Sequence, residues 1–257
     1  MKYFVLVFIF FATFVHAKEI WNKEVFIHGV LDNELQLQSS SKLFDLATLA
    51  NRPNLYGIGL LENLQGEVQI FDSDIFISSI DSKGQVKVDK NFDKKIPFFV
   101  YTFVPDWVKI KIPSTIYNKN QFEDFLEETI KEYGISKFQT FPFMIEGEIK
   151  TMNYRIYSYL NNDRLTCENG MCSYQPKQIQ SNKKYISLTK YKTIINTPVK
   201  ILGFYSLKHG IVTEKSKYTN LNFIYQNQTI AGHVRNMMIG ENMILKLPKV
   251  EITNGKQ

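Results

Sequence analysis

The chain has 257 residues, of which 44% are hydrophobic, so it is long enough to bury the core of one large domain or two small ones. Charged residues make up 22% and aromatic residues 14%, which excludes a disordered or collagen-like chain. The 31 Lys and Arg residues against 25 Asp and Glu residues give a net charge of +6, but the charges are scattered, which argues against a nucleic-acid-binding protein.

The first seventeen residues have the features of a cleaved signal peptide. Lys2 supplies a positive charge, and residues 3–15 form an apolar run. This run is shorter than the roughly twenty residues that a membrane-spanning helix needs. Val15-His16-Ala17 places small or apolar residues at the two positions that signal peptidase inspects. We therefore expect cleavage after Ala17 and a secreted or periplasmic protein, without a membrane anchor, whose single domain covers residues 18–257.

Most of the remaining sequence has the pattern of short β-strands separated by turn-forming Asn, Gly, Asp and Ser residues. The strands predicted in the first part of the chain are 56–61, 66–71, 74–79, 85–88, 96–104 and 107–112. Those predicted in the second part are 141–144, 147–151, 154–157, 200–205, 221–225, 232–238 and 243–247.

Two helices are predicted among these strands. Residues 39–49 begin with serines that can cap a helix, and their leucines recur at helical spacing. Residues 119–133 have a clearer amphipathic pattern, with Asn118 as the N-cap and Gly134 as the stop signal. The acidic residues of this second helix predict a face that is exposed to water rather than a metal site: Glu123, Asp124, Glu127 and Glu128.

Short strands with two interspersed helices predict an α+β fold rather than a doubly wound parallel sheet. The phrases Gly66-Glu-Val and Gly147-Glu-Ile occur in similar strand contexts. They predict two related β-rich halves, built from mixed or antiparallel sheets, with a boundary near residues 114–136 and a cleft between the halves. The polar segment 160–182 is predicted to be an inserted loop.

The inserted loop contains both cysteines of the chain, Cys167 and Cys172, with Asn169-Gly170 as the turn between them. In an oxidising compartment such a pair closes a small disulfide ring. The alternative is a redox or metal pair, but the spacing is not Cys-x-x-Cys and the sequence has no second pair to complete a four-ligand site. The structural disulfide is the favoured prediction.

Three stretches carry motifs that occur in the same order in one enzyme family. Residues 55–68 combine a Gly-x-Gly turn with Leu-Gln-Gly-Glu, residues 96–103 contain Pro-Phe-Phe-Val-Tyr-Thr-Phe, and Arg155 follows Gly147. These stretches resemble the alpha-acetolactate decarboxylase family, which has Leu-Asp-Gly-Glu, Pro-Phe-Ala-x-x-Thr-x-Phe and the same spacing from the glycine to the arginine.

A fourth stretch extends this resemblance toward the C-terminus. Ile201-Leu-Gly-Phe204 is followed by Asn220-Leu-Asn-Phe223 and Ala231-Gly-His-Val234. The family has Gly-Phe, His-x-His-Phe and Gly-Gly-His-Val in these places. The resemblance covers roughly residues 39–248 and implies an α+β fold whose active site lies in the cleft between two halves.

The resemblance also implies a chemistry. The family removes CO2 from 2-acetolactate to give acetoin and uses a divalent metal, usually zinc, held by three histidines. By position, Glu67 takes the role of acid and base, Arg155 that of binding the substrate carboxylate, and His233 that of the third metal ligand. Without the resemblance, Glu67 would be interpreted as an edge-strand carboxylate in water and Arg155 as a surface cation.

The other two ligand positions hold asparagines, Asn220 and Asn222, at the spacing from His233 that the family's histidines have. A carboxamide oxygen is a poor ligand for zinc compared with an imidazole nitrogen, so zinc affinity should fall by many orders of magnitude. His28 and His209 are the other histidines of the mature chain, and we do not expect them to rebuild the site. The oxygen-rich set that remains would favour Mg²⁺ or Ca²⁺, and weakly. We therefore expect no cofactor.

The expected function is that of an exported family member that is not an efficient decarboxylase, whose cleft binds a small polar or carboxylate ligand or whose surface binds a protein partner. The alternative is an active decarboxylase with an unusual metal site that holds zinc. The family's C-terminal glutamate has no assigned counterpart, since Glu251 comes too early in the chain. A third class, a metal-free hydrolase or lyase, is disfavoured because the sequence has no Gly-x-Ser-x-Gly motif and neither cysteine has the setting of a nucleophile.

Overall fold

The structure is a computed structural model that describes the greater part of the chain. The described residues are 20–31, 43–81, 83–156, 159–161, 166–168, 171–173, 185–187, 189–225 and 227–251, with the short segments between 159 and 187 described by their backbone. The predicted signal peptide and the first residues of the predicted helix 39–49 lie outside the described residues.

The first half of the chain forms a six-stranded antiparallel sheet with the strand order β1-β8-β3-β4-β5-β6. Its strands are β1 (Phe26–His28), β3 (Leu55–Leu60), β4 (Glu67–Phe71), β5 (Asp74–Ile80), β6 (Val86–Asp89) and β8 (Phe98–Phe103). Two further short strands pair with each other, namely β2 (Phe44–Asp45) and β7 (Lys95–Ile96). All residues of β4 are buried, because both faces of this sheet are covered.

The second half forms another six-stranded antiparallel sheet, with the order β15-β16-β17-β10-β18-β9. Strands β10 and β15 also pair with each other along their whole length, so that β10, β15, β16 and β17 form a closed ring of pairings. The strands are β9 (Trp107–Lys111), β10 (Phe141–Ile156), β15 (Lys190–Tyr205), β16 (Thr219–Tyr225), β17 (Ala231–Met238) and β18 (Ile244–Pro248).

The three short strands predicted between residues 141 and 157 are one continuous strand, β10. The two breaks between the predicted strands, at residues 145–146 and 152–153, lie at or next to irregularities inside it. Gly147 has a φ of +140°, and the register with β17 shifts between Asn153 and Tyr154. The strand continues through both irregularities because β15 pairs with it throughout.

The structure confirms one of the two predicted helices. Helix α1 (Lys119–Glu132) begins with Asn118, whose Oδ1 accepts a hydrogen bond from the Gln121 amide at 3.0 Å, and is followed by Gly134 at a φ of +69°. The prediction of a helix over residues 39–49 is wrong for its described part, which contains β2 and the short 3₁₀ helix Leu46–Leu49. Pairing with β7 holds Phe44 and Asp45 extended, so the helical spacing of the segment produces only the short 3₁₀ helix that follows. The fold is therefore mostly β, with a single α-helix among the described residues, rather than an α+β fold with two helices.

The acidic face of α1 is only partly exposed to water, in contrast to the prediction. Glu127 Oε1 accepts a hydrogen bond from the Tyr205 hydroxyl at 2.7 Å, and Glu123 accepts one from the Thr219 hydroxyl. Both glutamates therefore attach the helix to the second sheet. The other two acidic residues are exposed, as predicted: Asp124 and Glu128.

The chain passes from the first sheet to the second at residues 104–106, upstream of the predicted boundary at 114–136, because β9 pairs with β18. The relatedness of the two halves remains a prediction. The segment predicted to be an inserted loop contains two short strand pairs. Their strands are β11 (Tyr159–Asn161) with β14 (Tyr185–Ser187) and β12 (Thr166–Glu168) with β13 (Met171–Ser173).

Trp21 anchors the beginning of the described chain in the core. Its side chain is buried, and its Nε1 donates a hydrogen bond to Thr102 Oγ1 at 2.9 Å. Its backbone amide donates to the carbonyl of Lys249 at 2.7 Å. Trp21, the fourth residue after the predicted cleavage site, thus joins the first sheet to the C-terminal part of the described chain.

Candidate functional site

A cleft of about 430 Å³ lies between the two sheets. The structure brings together in its walls all five residues that the sequence singled out: Glu67, Arg155, Asn220, Asn222 and His233. Glu67 belongs to the first sheet and the other four belong to the second. The rest of the wall includes an apolar part formed by Leu31, Ile58, Leu60, Leu64 and Phe98.

Strand geometry places the second-sheet residues beside one another. Asn220 and Asn222 are two residues apart on β16 and therefore point to the same face. His233 on β17 is paired with Asn222 on one side and with Arg155 of β10 on the other. A Cβ atom on the neighbouring Gly232 would lie 2.7 Å from the Arg155 carbonyl oxygen, so the close approach of these strands requires glycine.

Glu67 is buried and pairs across the cleft with Arg155, which is partly exposed. Glu67 is 1% exposed and lies on β4, between β3 and β5, and its Oε1 is 3.9 Å from Arg155 Nε. The alternative interpretations, an edge-strand carboxylate in water and a surface cation, are therefore wrong. A carboxylate this deeply buried requires a partner of opposite charge.

Glu214 is a further cleft residue that the sequence did not indicate. It lies on the connection between β15 and β16, with its Oε1 3.1 Å from Arg155 Nη2, and it also pairs with Lys217. Partial burial raises the pKa of Glu214, but the hydrogen bond from Lys217 and the positive charges of Arg155 and Lys217 outweigh this effect and lower the pKa. The polar Thr-Glu-Lys-Ser-Lys context is typical of a solvated loop, so no signal in the sequence marks this residue.

A relay of hydrogen bonds sets the proton position on His233. Gln69 Nε2 donates to the Phe76 carbonyl oxygen at 2.6 Å, which leaves Gln69 Oε1 to accept from Asn222 Nδ2 at 3.1 Å. Asn222 Oδ1 then accepts from His233 Nδ1 at 3.1 Å. In the neutral imidazole the unprotonated nitrogen is therefore Nε2, which lies 3.8 Å from Glu214 Oε1.

His233 is held in its neutral form. Burial and the positive charge of Arg155 keep the pKa of His233 well below its usual value, although Glu214 acts in the opposite direction. Near neutral pH the cleft therefore presents an imidazole nitrogen that accepts a hydrogen bond.

The donor set of the cleft does not fit zinc. Both polar atoms of the Asn222 side-chain amide are used within the protein, and Asn220 Nδ2 donates to the Val212 carbonyl oxygen at 2.9 Å. His233 is the one imidazole in the cleft wall as described. Among the described residues, no group of three or more His, Cys, Asp or Glu side chains is arranged to hold a metal ion.

Neither His28 nor His209 supplies a replacement ligand in the structure. His28 lies on β1 with its ring 5.6 Å from that of Phe44. His209 Nδ1 is 2.8 Å from the Lys217 carbonyl oxygen, and the His209 ring is exposed. Glu251, near the end of the described chain, is also exposed. None of these three side chains belongs to the cleft wall.

Comparison with known proteins identifies a matching family and similar folds. Residues 33–254 match the model of the family described as alpha-acetolactate decarboxylase. Similar structures are an alpha-acetolactate decarboxylase from Bacillus subtilis strain 168, with a TM-score of 0.60, and an acetolactate decarboxylase from Bacillus subtilis subspecies spizizenii, with 0.59. A Staphylococcus aureus protein of unknown function, similar to alpha-acetolactate decarboxylase, has a TM-score of 0.58.

The likeness to these three structures extends over most of each chain. Each is 18% identical to this chain, and the match covers 88% of this chain and 86% of the other. At this identity the structural likeness shows a shared fold. No curated protein sequence matches the chain.

Proposed function

The chain belongs to the alpha-acetolactate decarboxylase family, and we propose that it binds a small carboxylate in its cleft without decarboxylating 2-acetolactate. The observation that carries this proposal is the position of Asn222, whose amide bridges Gln69 and His233. The histidine that the resemblance implies here is thus replaced by a side chain with a different task. It orients His233 rather than binding a metal.

The loss of decarboxylation follows from the missing ligands. Decarboxylation of a 2-hydroxy-3-oxo acid needs stabilisation of the enediolate that CO2 leaves behind, and in this family a divalent metal supplies it. Asn222 is hydrogen-bonded within the protein through both polar atoms of its side-chain amide, and Asn220 through its Nδ2, so His233 Nε2 is the imidazole nitrogen that remains. A single neutral imidazole does not replace the charge of a metal ion.

Three features of the cleft support carboxylate binding. Arg155 already donates a hydrogen bond of 3.1 Å to a carboxylate oxygen of Glu214. Lys215 adds a second cation to the wall. The neutral His233 offers Nε2 to a hydroxyl group of the ligand, and the apolar side chains accommodate a short alkyl group. The expected ligand is a small hydroxycarboxylate.

The direct test is the metal content and activity of the mature protein. We expect protein that begins at Lys18, purified without chelators, to carry far less than about one zinc ion per chain by plasma mass spectrometry. It should form no acetoin from 2-acetolactate, with or without added zinc. About one zinc per chain, together with metal-dependent acetoin formation that Glu67→Gln abolishes, would instead establish an active decarboxylase.

Export is part of the same proposal and rests on the first seventeen residues. In the described part of the chain, the structure contains no helix long and apolar enough to cross a membrane.

The two cysteines should form a disulfide in the exported protein. The backbone places Cys167 directly opposite Cys172 in the β12–β13 pair. Opposed residues of an antiparallel pair have Cα atoms about 4.5–5.5 Å apart, which is within the range that a disulfide spans. Mass spectrometry of the untreated protein should show the peptide that carries both cysteines about 2 Da lighter than after reduction. Free thiols in protein secreted through an oxidising compartment would contradict this prediction.

A further inference from the structure

The carboxylate of Glu214 lies in the part of the cleft where a bound carboxylate would meet Arg155. We infer that Glu214 is an internal competitor, whose carboxylate occupies the anion-binding end of the cleft and is displaced by the carboxylate of the ligand. This inference rests on the proposed function, because it concerns the same ligand and the same cleft. It adds the residue that controls how tightly the ligand binds.

The contacts of Glu214 are those of a bound anion. Its Oε1 accepts a hydrogen bond from Arg155 Nη2 at 3.1 Å and lies 3.8 Å from His233 Nε2, while its Oε2 pairs with Lys217. Lys217 and Arg155 keep this carboxylate ionised, so it competes as a full negative charge at neutral pH. A ligand carboxylate needs the same groups and therefore binds only when Glu214 has left them.

The side chain of Glu214 is free to leave without unfolding its segment. The residues around it are fixed by other bonds: the Ile211 carbonyl oxygen accepts from the Leu31 amide at 3.0 Å, and the Val212 carbonyl oxygen accepts from Asn220 Nδ2 at 2.9 Å. The side chain itself is 29% exposed at the edge of the cleft. Rotation about its side-chain torsions therefore moves the carboxylate into water while the backbone stays in place.

Glu67, the other carboxylate that faces Arg155, is not exchangeable in this way. Its side chain is 2% exposed and lies on a central strand, whereas the side chain of Glu214 is 29% exposed. Glu67 therefore keeps Arg155 oriented when Glu214 leaves. The two carboxylates divide the tasks, with Glu67 positioning the guanidinium group and Glu214 competing for it.

An internal competitor lowers the affinity of the protein for its carboxylate ligand. A group attached to the same chain acts at an effective concentration of roughly millimolar or above. A small carboxylate must exceed this competition, so the wild-type protein should bind it weakly. A neutral ligand of the same shape cannot replace Glu214 at all, because it brings no charge to Arg155 and Lys217.

The test is the affinity for lactate, measured by isothermal titration calorimetry at pH 7, with lactamide as the neutral isostere. We expect Glu214→Gln and Glu214→Ala to bind lactate at least about 10-fold more tightly than the wild type. The ligand then no longer has to displace a carboxylate that is hydrogen-bonded to a charged group, and loss of such a bond changes a dissociation constant by about this factor. Glu128→Gln removes an exposed glutamate of α1 and controls for the change in net charge. It should leave the affinity unchanged. Circular dichroism would show that each variant is folded.

The outcomes separate this inference from the proposed function. Tighter lactate binding by the Glu214 variants, without a gain for lactamide, supports both. Equal or weaker lactate binding by folded Glu214 variants overturns the role of Glu214 and leaves carboxylate binding intact. If neither the wild type nor any Glu214 variant binds lactate, the cleft is not a hydroxycarboxylate site, and both the proposed function and the inference fail.

Discussion

Replacement of both Asn220 and Asn222 by histidine should create a zinc site that holds about one zinc ion per chain. The two positions are two residues apart on β16, so both side chains face the cleft, and Asn222 is paired with His233 on β17. Three imidazoles would therefore converge in the cleft. We expect the affinity for zinc to rise by at least about 1,000-fold over the wild type, because three imidazole ligands replace one.

Two measurements check this result. Equilibrium dialysis with zinc gives the affinity, and thermal unfolding gives an independent readout. A ligand present at 100 times its dissociation constant stabilises the folded state by about 2.7 kcal/mol, so zinc should raise the unfolding temperature of the variant but not of the wild type. The variant Asn220→Ala with Asn222→Ala loses the same amides without gaining a ligand, and it should not bind zinc. A folded double-histidine variant that binds no zinc would show that the three positions do not form a ligand set.

The second large effect is expected from Arg155→Ala. This substitution leaves Glu67 with its charge buried and without the guanidinium group, and breaking a buried ion pair in this way costs about 3–5 kcal/mol. We expect a loss of about 3 kcal/mol in the free energy of unfolding, since Arg155 itself is partly exposed. Lactate binding should disappear in the same variant, because Arg155 is the main cation of the cleft.

A double-mutant cycle separates the lost pairing from the lost packing. Glu67→Gln in the Arg155→Ala background removes the buried charge and should recover part of the stability, with a coupling energy of about 1–3 kcal/mol. Urea denaturation at pH 7 of the four proteins gives this value. Arg235→Ala is the matched control, since Arg235 is exposed and stacks on Tyr191, and it should change stability by no more than about 0.5–1 kcal/mol. Additive effects of the Arg155 and Glu67 substitutions would contradict their pairing.

Local patterns in the sequence predicted most of the strands and one helix. Alternation of apolar and polar residues, interrupted by Gly, Asn and Asp, locates β3 to β6 within two residues of their ends. Asn118 and Gly134 locate α1, because capping depends on a few neighbouring residues. These features are local, so a single sequence is enough to indicate them.

Features that depend on pairing between distant segments could not be predicted in this way. The segment that ends at Leu49 has helical spacing, but Phe44 pairs with Ile96 and the segment is extended there. The sequence predicts breaks at residues 145–146 and 152–153, but the long pairing with β15 carries β10 through both. In each case the tertiary contacts outweigh a local preference of a few tenths of a kcal/mol per residue.

The same division holds for the site. The sequence by itself determined which residue types are available for chemistry: Glu67, Arg155 and one histidine at matching positions, with two asparagines at the positions of the other ligands. That follows from motif spacing along single strands, which one sequence displays. Only the tertiary structure decided what these residues do with one another. In the folded chain Glu214 contacts Arg155, and Asn222 forms hydrogen bonds with both Gln69 and His233. These contacts depend on distances between segments that lie far apart in the chain, which the sequence does not display.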